Sequence, residues 1–222
     1  MPGQTQKRLT LTFDNGPDRD VTPLVLDELA RRDIKATFFV LGKNMEDPDL
    51  WSLAERAHAE GHWIGNHTFN HEVPLGERRD AGAAQLEIGA TQDLIGTLSH
   101  PDKFFRPFGG GGILDRRLLN TEAREYLVAN GYTCVLWNSI PRDWEDPDGW
   151  VDTAIEQMKQ NPWTVVVLHD LATGAMANLE AFLDQVADRD IQVVQDFSDE
   201  CVALRRGHAT PLLDEVLSGT PE

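Results

Sequence analysis

Short apolar runs alternate with helix-starting sequences along almost the whole of this chain, and that alternation narrows the fold more than any other feature. Arg8–Phe13, Ala36–Leu41, His62–Gly65, Lys103–Arg106, Thr133–Trp137, Trp163–Leu168 and Ile191–Val194 read as strands. Between them lie helical patterns. Thr22 reads as an N-cap with Pro23 at the first helical position of a helix to Arg32. Asp47-Pro48 opens a helix that turns Leu50, Leu53, Ala54 and Ala57 inward and that Gly61 ends. Ala81–Leu98 (Leu86, Leu94 and Leu98 inward), Leu114–Asn130, Trp150–Lys159 and Asn178–Ala187 complete the series. Strand and helix in strict turn predict a parallel sheet, open or closed into a barrel.

The chemically unusual residues favour closure. Asp14, His67, His71, Arg106, Asp143 and His169 each follow a strand. An open sheet gathers its site near one switch point, whereas a barrel gathers it from many strand ends on its C-terminal face. A chain of 222 residues, 41% hydrophobic, suffices for one such domain. The pattern holds over about residues 8–197 and weakens from Asp196. Residues 198–222 read as a C-terminal extension in which Pro211–Leu217 forms a closing helix and the last residues fray.

The formal charge of −17 makes nucleic acid and anionic membrane surfaces poor partners. Neutral or cationic molecules suit it better, and oligomeric state is not legible. No run approaches the length of a membrane span. The polar stretch Met1–Arg8 carries no apolar leader segment, so the expected compartment is cytoplasmic. Cys134 and Cys201 read as two reduced, partly buried thiols.

Gly65-Asn66-His67-Thr68-Phe69-Asn70-His71 makes the narrowest chemical demand. If the backbone turns helically, the spacing of His67 and His71 lets both imidazoles reach one divalent metal. His58 and His62 share that spacing, but Gly61 interrupts them, so they read as structural. Asp14, in the turn Asp14-Asn15-Gly16-Pro17, is placed to act as a general base. Arg106, in Arg106-Pro107-Phe108-Gly109, can hold that acid ionised, and the backbone N–H groups after it can face an oxyanion. His169, oriented by a carboxylate, has the character of a general acid. Trp144 and Trp150 sit in or beside a polar loop and are the candidates for substrate contact; the other tryptophans suit a core.

Taken in order, these stretches resemble the five motifs of the polysaccharide deacetylases, carbohydrate esterase family 4. Thr12–Pro17 matches T-F-D-D-G-P with Asn15 in place of the second Asp. His67-Thr68 and His71 match H-[ST]-x-x-H. Arg106–Gly109 matches the third motif loosely, and Asp143-Trp144 matches the fourth. Val167-Leu168-His169 stands where the family has Leu-x-His. The resemblance implies a distorted (β/α) barrel that removes N-acetyl groups from an N-acylated carbohydrate. It implies Zn²⁺ or another divalent cation on His67, His71 and position 15, with Asp14 as base, braced by Arg106, and His169 as acid, oriented by Asp143. Phe108 and Gly109 would border the substrate. Asn15 replaces an anionic ligand by a neutral oxygen, which implies a weak metal site, completion by another acid, or no metal. A metal-independent amidohydrolase of a small ureide or cyclic imide is the alternative, as is an inactive barrel that binds a glycan or metabolite.

Overall fold

The computed structural model describes residues 6–218; residues 1–5 and the last residues, expected to fray, lie outside the described residues. Nine strands form one sheet: β1 Arg8–Asp14, β2 Thr37–Val40, β3 Trp63–Asn66, β4 Phe104–Phe105, β5 Thr133–Val135, β6 Trp163–His169, β7 Gln192–Val193, β8 Val202–Arg205 and β9 His208–Ala209. The helices are α1 Thr22–Arg31, α2 Gly42–Met45, α3 Pro48–Ala59, α4 Ala90–Ile95, α5 Thr121–Ala129, α6 Trp150–Gln160, α7 Leu179–Asp188 and α8 Leu213–Val216.

The strand order is β6-β1-β2-β3-β4-β5-β8-β9, and β1 to β6 are parallel neighbours wherever they pair. The chain beyond β5 then swings back to β6. Val167 N donates to Ser139 O at 3.0 Å, and the Asn138 side chain accepts from Val165 N at 2.8 Å. This contact closes the curl into the distorted barrel. β7 lies against the start of β1, beside the β2 edge, at Arg8–Leu9.

Alternation along the strands sorts the residues into two environments. Leu9, Leu11 and Phe13 join Phe38, Val40, Ile64, Val166 and Leu168 in the core beneath α1, α3, α6 and α7. Their neighbours face inward: Thr10, Thr12 and Asp14 on β1, Phe39 on β2, Val165 and Val167 on β6. Phe39, Phe104, Val135, Val165 and Phe197 pack together as the apolar part of that interior. Gly65 is required there by space, because a Cβ would stand 2.6 Å from the Phe39 ring.

Several expectations are corrected. The sheet is mixed, not wholly parallel, because β8 runs antiparallel to β5 and carries β9. Residues 202–205 and 208–209 are therefore part of the sheet: β8 covers the β5 edge, while Leu213 and Val216 bury against Leu119 and Leu127. Thr22 does not cap α1; Val21 holds the cap position, and the Thr22 hydroxyl accepts from Asp18 N and donates to Asp170. Asp47 does cap α3, accepting from Asp49 N. The helix expected over Leu114–Asn130 begins only at Thr121, capped by Asn120. The helix expected over Ala81–Leu98 contains a π turn, Gln85–Gly89. Leu86 is consequently 46% exposed and Glu87 is buried in its stead. Both cysteines are buried free thiols. Among the described residues no helix is long and apolar enough to cross a membrane.

Candidate active site

The parallel strands deliver their C-terminal ends to one rim. Asp14 ends β1 and His169 ends β6, and the two are direct partners across that ladder. Their inward direction follows from the strand period, which gives Asp14 the face of Thr12 and His169 the face of Val167. The apolar residue of the fifth motif is thus Val167, which borders the cavity, while Leu168 points into the helical core. His67 follows β3 by one residue and Arg106 follows β4 by one residue.

Arg106 is fully buried beneath this rim. Its Nη1 donates to Asp14 Oδ1 at 2.8 Å and to Thr12 Oγ1 at 2.6 Å, and its other nitrogens reach Val135 O and Leu136 O, each at 3.3 Å. The guanidinium lies 4.1 Å from the centre of the Phe39 ring. Burial disfavours the cation, and the Asp14 carboxylate opposes that effect. The Arg106 carbonyl meets His67 Nδ1 at 2.9 Å. That contact assigns the proton to Nδ1 and leaves Nε2 as a lone-pair donor, 3.6 Å from Asp14 Oδ2. Burial holds His67 below its ordinary pKa, against the pull of Asp14.

His71 reaches the same place without a helix. Thr68 (φ 68°) and His71 (φ 56°) adopt left-handed backbone, so the stretch expected to turn helically is a tight irregular loop. Such conformations in a β-branched residue cost on the order of 1–3 kcal/mol and persist where the surroundings enforce them. The two imidazole centres stand 5.1 Å apart, and the His71 ring lies 3.8 Å from that of Phe108. Burial, then the neighbouring His67, push His71 down to about 3. Both rings are therefore neutral, as metal ligands must be.

Opposite them, the Asp143 carboxylate grips His169 twice, accepting from its backbone N at 2.8 Å and pairing with its Nδ1 at 2.8 Å. Burial lowers the basicity of this imidazole. The Asp143 hydrogen bond and charge, with Asp14 and Asp170 behind them, outweigh that and hold its pKa above the ordinary value. Trp144 meets the His169 ring edge-on, with centres 4.8 Å apart.

These groups surround a cavity of about 360 Å³. Asp14, Asn15, His67, His71 and His169 form its polar part. Phe108, Gly109, Trp137, Ile140, Trp144, Val167 and Leu171 line the rest. The glycine tract continues that wall through Gly110–Gly112, held by Trp137 Nε1 on Gly112 O at 3.0 Å and Arg142 Nη1 on Gly111 O at 3.3 Å. Trp150 is not in the cavity; it is fully buried, donates to Ala175 O and packs against Phe182. Its place at the inward face of a helix start outweighs the polarity of the loop before it. Trp137 was assignable only to a core from sequence, because its strand is apolar on both sides. His58 and His62 stay at the opposite end of the barrel, where His62 Nδ1 accepts from Ala36 N at 3.0 Å.

Asn15 Oδ1 is buried and has no hydrogen-bond partner, which an amide oxygen rarely tolerates. It borders the same cavity as His67 Nε2 and His71. Two neutral imidazoles and an unspent amide oxygen fit a divalent cation, as a site with one anionic ligand fewer than usual. Among the described residues no three His, Cys, Asp or Glu side chains are grouped so as to hold a metal.

The curled sheet, the paired Asp14 and His169 and the two histidines define a distorted barrel with a cluster of acid–base groups at its rim. The chain belongs to the polysaccharide deacetylase family: the family profile described as "Polysaccharide deacetylase" matches residues 2–135. It is 34% identical over 174 residues to the chitooligosaccharide deacetylase of Rhizobium leguminosarum bv. trifolii, covering 76% of this chain and 74% of that one. It is 31% identical over 181 residues to a peptidoglycan-N-acetylglucosamine deacetylase of Bacillus cereus, covering 80% of this chain but 61% of the relative's length. The solved structure of the peptidoglycan deacetylase PdaC from Bacillus subtilis superposes with a TM-score of 0.66 at 30% identity, covering 85% of this chain and 87% of that one.

Proposed function

We propose that this chain hydrolyses the N-acetyl group of an N-acetylated sugar or oligosaccharide. The observation that carries the reading is the pairing of Asp14 and His169 across one ladder, each backed by a partner of opposite character, over one cavity. The deacetylase relatives support the substrate class.

His67 Nε2, His71 and Asn15 Oδ1 would hold a divalent cation, Zn²⁺ by the chemistry of the donors, and that ion would supply Lewis acidity toward the acetyl carbonyl and the attacking water. Asp14 takes the proton of that water. Arg106, pinned by four acceptors, fixes the direction in which the Asp14 carboxylate points. His169 donates from Nε2 to the departing amine nitrogen, without which an amide does not leave near neutral pH. Asp143 fixes the proton on His169 Nδ1 and stabilises the imidazolium before transfer. Phe108, Trp144 and Val167 exclude water from the acyl group.

The test is acetate release from chitooligosaccharides and N-acetylated peptidoglycan fragments, after chelator treatment and after readdition of Zn²⁺ or Co²⁺. Release that returns with metal and disappears in Asp14→Asn supports the reading. No release from either substrate under any metal condition refutes it.

A further inference from the structure

The loop that carries His71 is held by a residue no motif contains. Glu87 lies on the π turn Gln85–Gly89 and is almost wholly buried. Its Oε2 accepts from the backbone N–H of Phe69 and of Asn70, each at 2.9 Å, and its Oε1 accepts from Asn70 Nδ2 at 2.9 Å and Arg78 Nη1 at 3.0 Å. The Ile88 carbonyl, on the same π turn, accepts from Asn66 Nδ2 at 2.8 Å, and Asn66 Oδ1 in turn accepts from Thr68 N at 3.1 Å. On the other side of the loop, Gly42 N donates to Thr68 O at 2.9 Å and Lys43 N to Phe69 O at 3.1 Å. The peptide planes immediately before His71 are thus fixed from both sides, across two residues of left-handed backbone.

A continuous α-helix would carry the same residues past this loop. The π turn adds one residue to the local ring, a device that recurs at functional sites. Charge-assisted bonds from two successive backbone N–H groups are among the stronger ties a carboxylate makes. Arg78 is the charged partner that neutralises Glu87 where it is buried.

We infer that Glu87 is a positioning residue for the second histidine: through Phe69 and Asn70 it sets where the His71 imidazole stands, and so completes the cation site. The inference rests on the reading of His71 as a metal ligand, but its test does not require that a metal binds. Glu87→Gln keeps the volume yet sets an amide NH2 against one of the two pairs of donors, and Glu87→Asp keeps the charge yet withdraws it by one methylene. The first readout is the rate at which diethyl pyrocarbonate acylates His71 in the metal-free protein, located by peptide mass spectrometry, with His100 at the far end of the barrel as internal control. The second is Zn²⁺ affinity by competition with a chromophoric chelator.

The expected result is faster acylation of His71 in the order parent, Glu87→Asp, Glu87→Gln, an unchanged rate at His100, and Zn²⁺ binding weaker by about tenfold to a hundredfold. Should Glu87→Gln not fold, Glu87→Asp alone carries the comparison. Faster His71 acylation in the variants, where the parent itself binds no metal, supports the positioning role while refuting the metal reading. An unchanged His71 rate in a folded variant overturns the inference, and so does a rise shared equally by His100, which would signal general loosening.

Discussion

Asn15 is where this site departs from its family's donor set. Its left-handed backbone (φ 75°) suits Asn and Asp alike, so position 15 accepts a carboxylate without new strain. Asn15→Asp is expected to tighten Zn²⁺ by at least about tenfold, the scale that outer partners alone command. The metal-free variant is expected to melt at a lower temperature than the parent, because a second buried carboxylate then stands beside Asp14. Added Zn²⁺ reverses the order by binding the folded state. Chelator competition and thermal melts with and without metal check both. The raised pKa of His169 keeps its imidazole protonated further into neutral pH, so under the proposed role activity is expected to fall as pH rises through that value. Asp143→Asn removes the main support, so the alkaline limb of kcat/KM moves to lower pH, and kcat drops by about 10²–10⁴-fold. A pH–rate profile of the variant measures both.

At the scale of elements, the tie between β6 and α1 carries an unusual charge. Asp170 follows β6, is buried and accepts from the Thr22 hydroxyl of α1 at 2.5 Å, with its other oxygen unpartnered. Its carboxyl also fills the space where a Cβ on Gly16 would stand. Burial pushes its pKa up to about 7 from the ordinary 3.8. Folding therefore favours the protonated form. The stability penalty for ionising it grows as pH rises from the unfolded value to about 7, then levels off. Asp170→Asn should raise stability more at pH 8 than at pH 5, by on the order of 2 kcal/mol in the difference. Denaturant melts of parent and variant at the two pH values decide it; equal effects would mean that the acid is ionised at both.

At the scale of the whole molecule, the closing contacts come from outside the βα repeat. Val202, Leu204, Leu213 and Val216 are buried against β5 and α5. At about 1.5–3 kcal/mol for each side chain, their burial is of the order of an entire domain's stability. Removing the chain after Phe197 is expected to abolish cooperative folding, seen as loss of the thermal transition by circular dichroism. A soluble, cooperatively melting truncation would contradict this.

Sequence alone determined the order of strands and helices, the strand ends at which Asp14, Arg106 and His169 stand, and the family, because period and motif are local properties of a chain. Trp144, a candidate for substrate contact by its polar loop, lines the cavity. Sequence alone missed Glu87, because a π turn shifts the buried face by one position and no 3.6-residue pattern anticipates that. It misplaced Trp150, whose burial depends on α7 packing over it. It placed the closing helix, Leu213–Val216, but missed the strands over residues 202–209, which are too short to show a period and exist because β5 offers an unpaired edge. Tertiary structure decided which polar groups meet: the facing of Asp14 and His169, the left-handed loop that brings His71 to His67, and the unspent Asn15 oxygen. Each depends on hydrogen bonds between residues distant in sequence, whose partners are chosen only when the sheet curls shut.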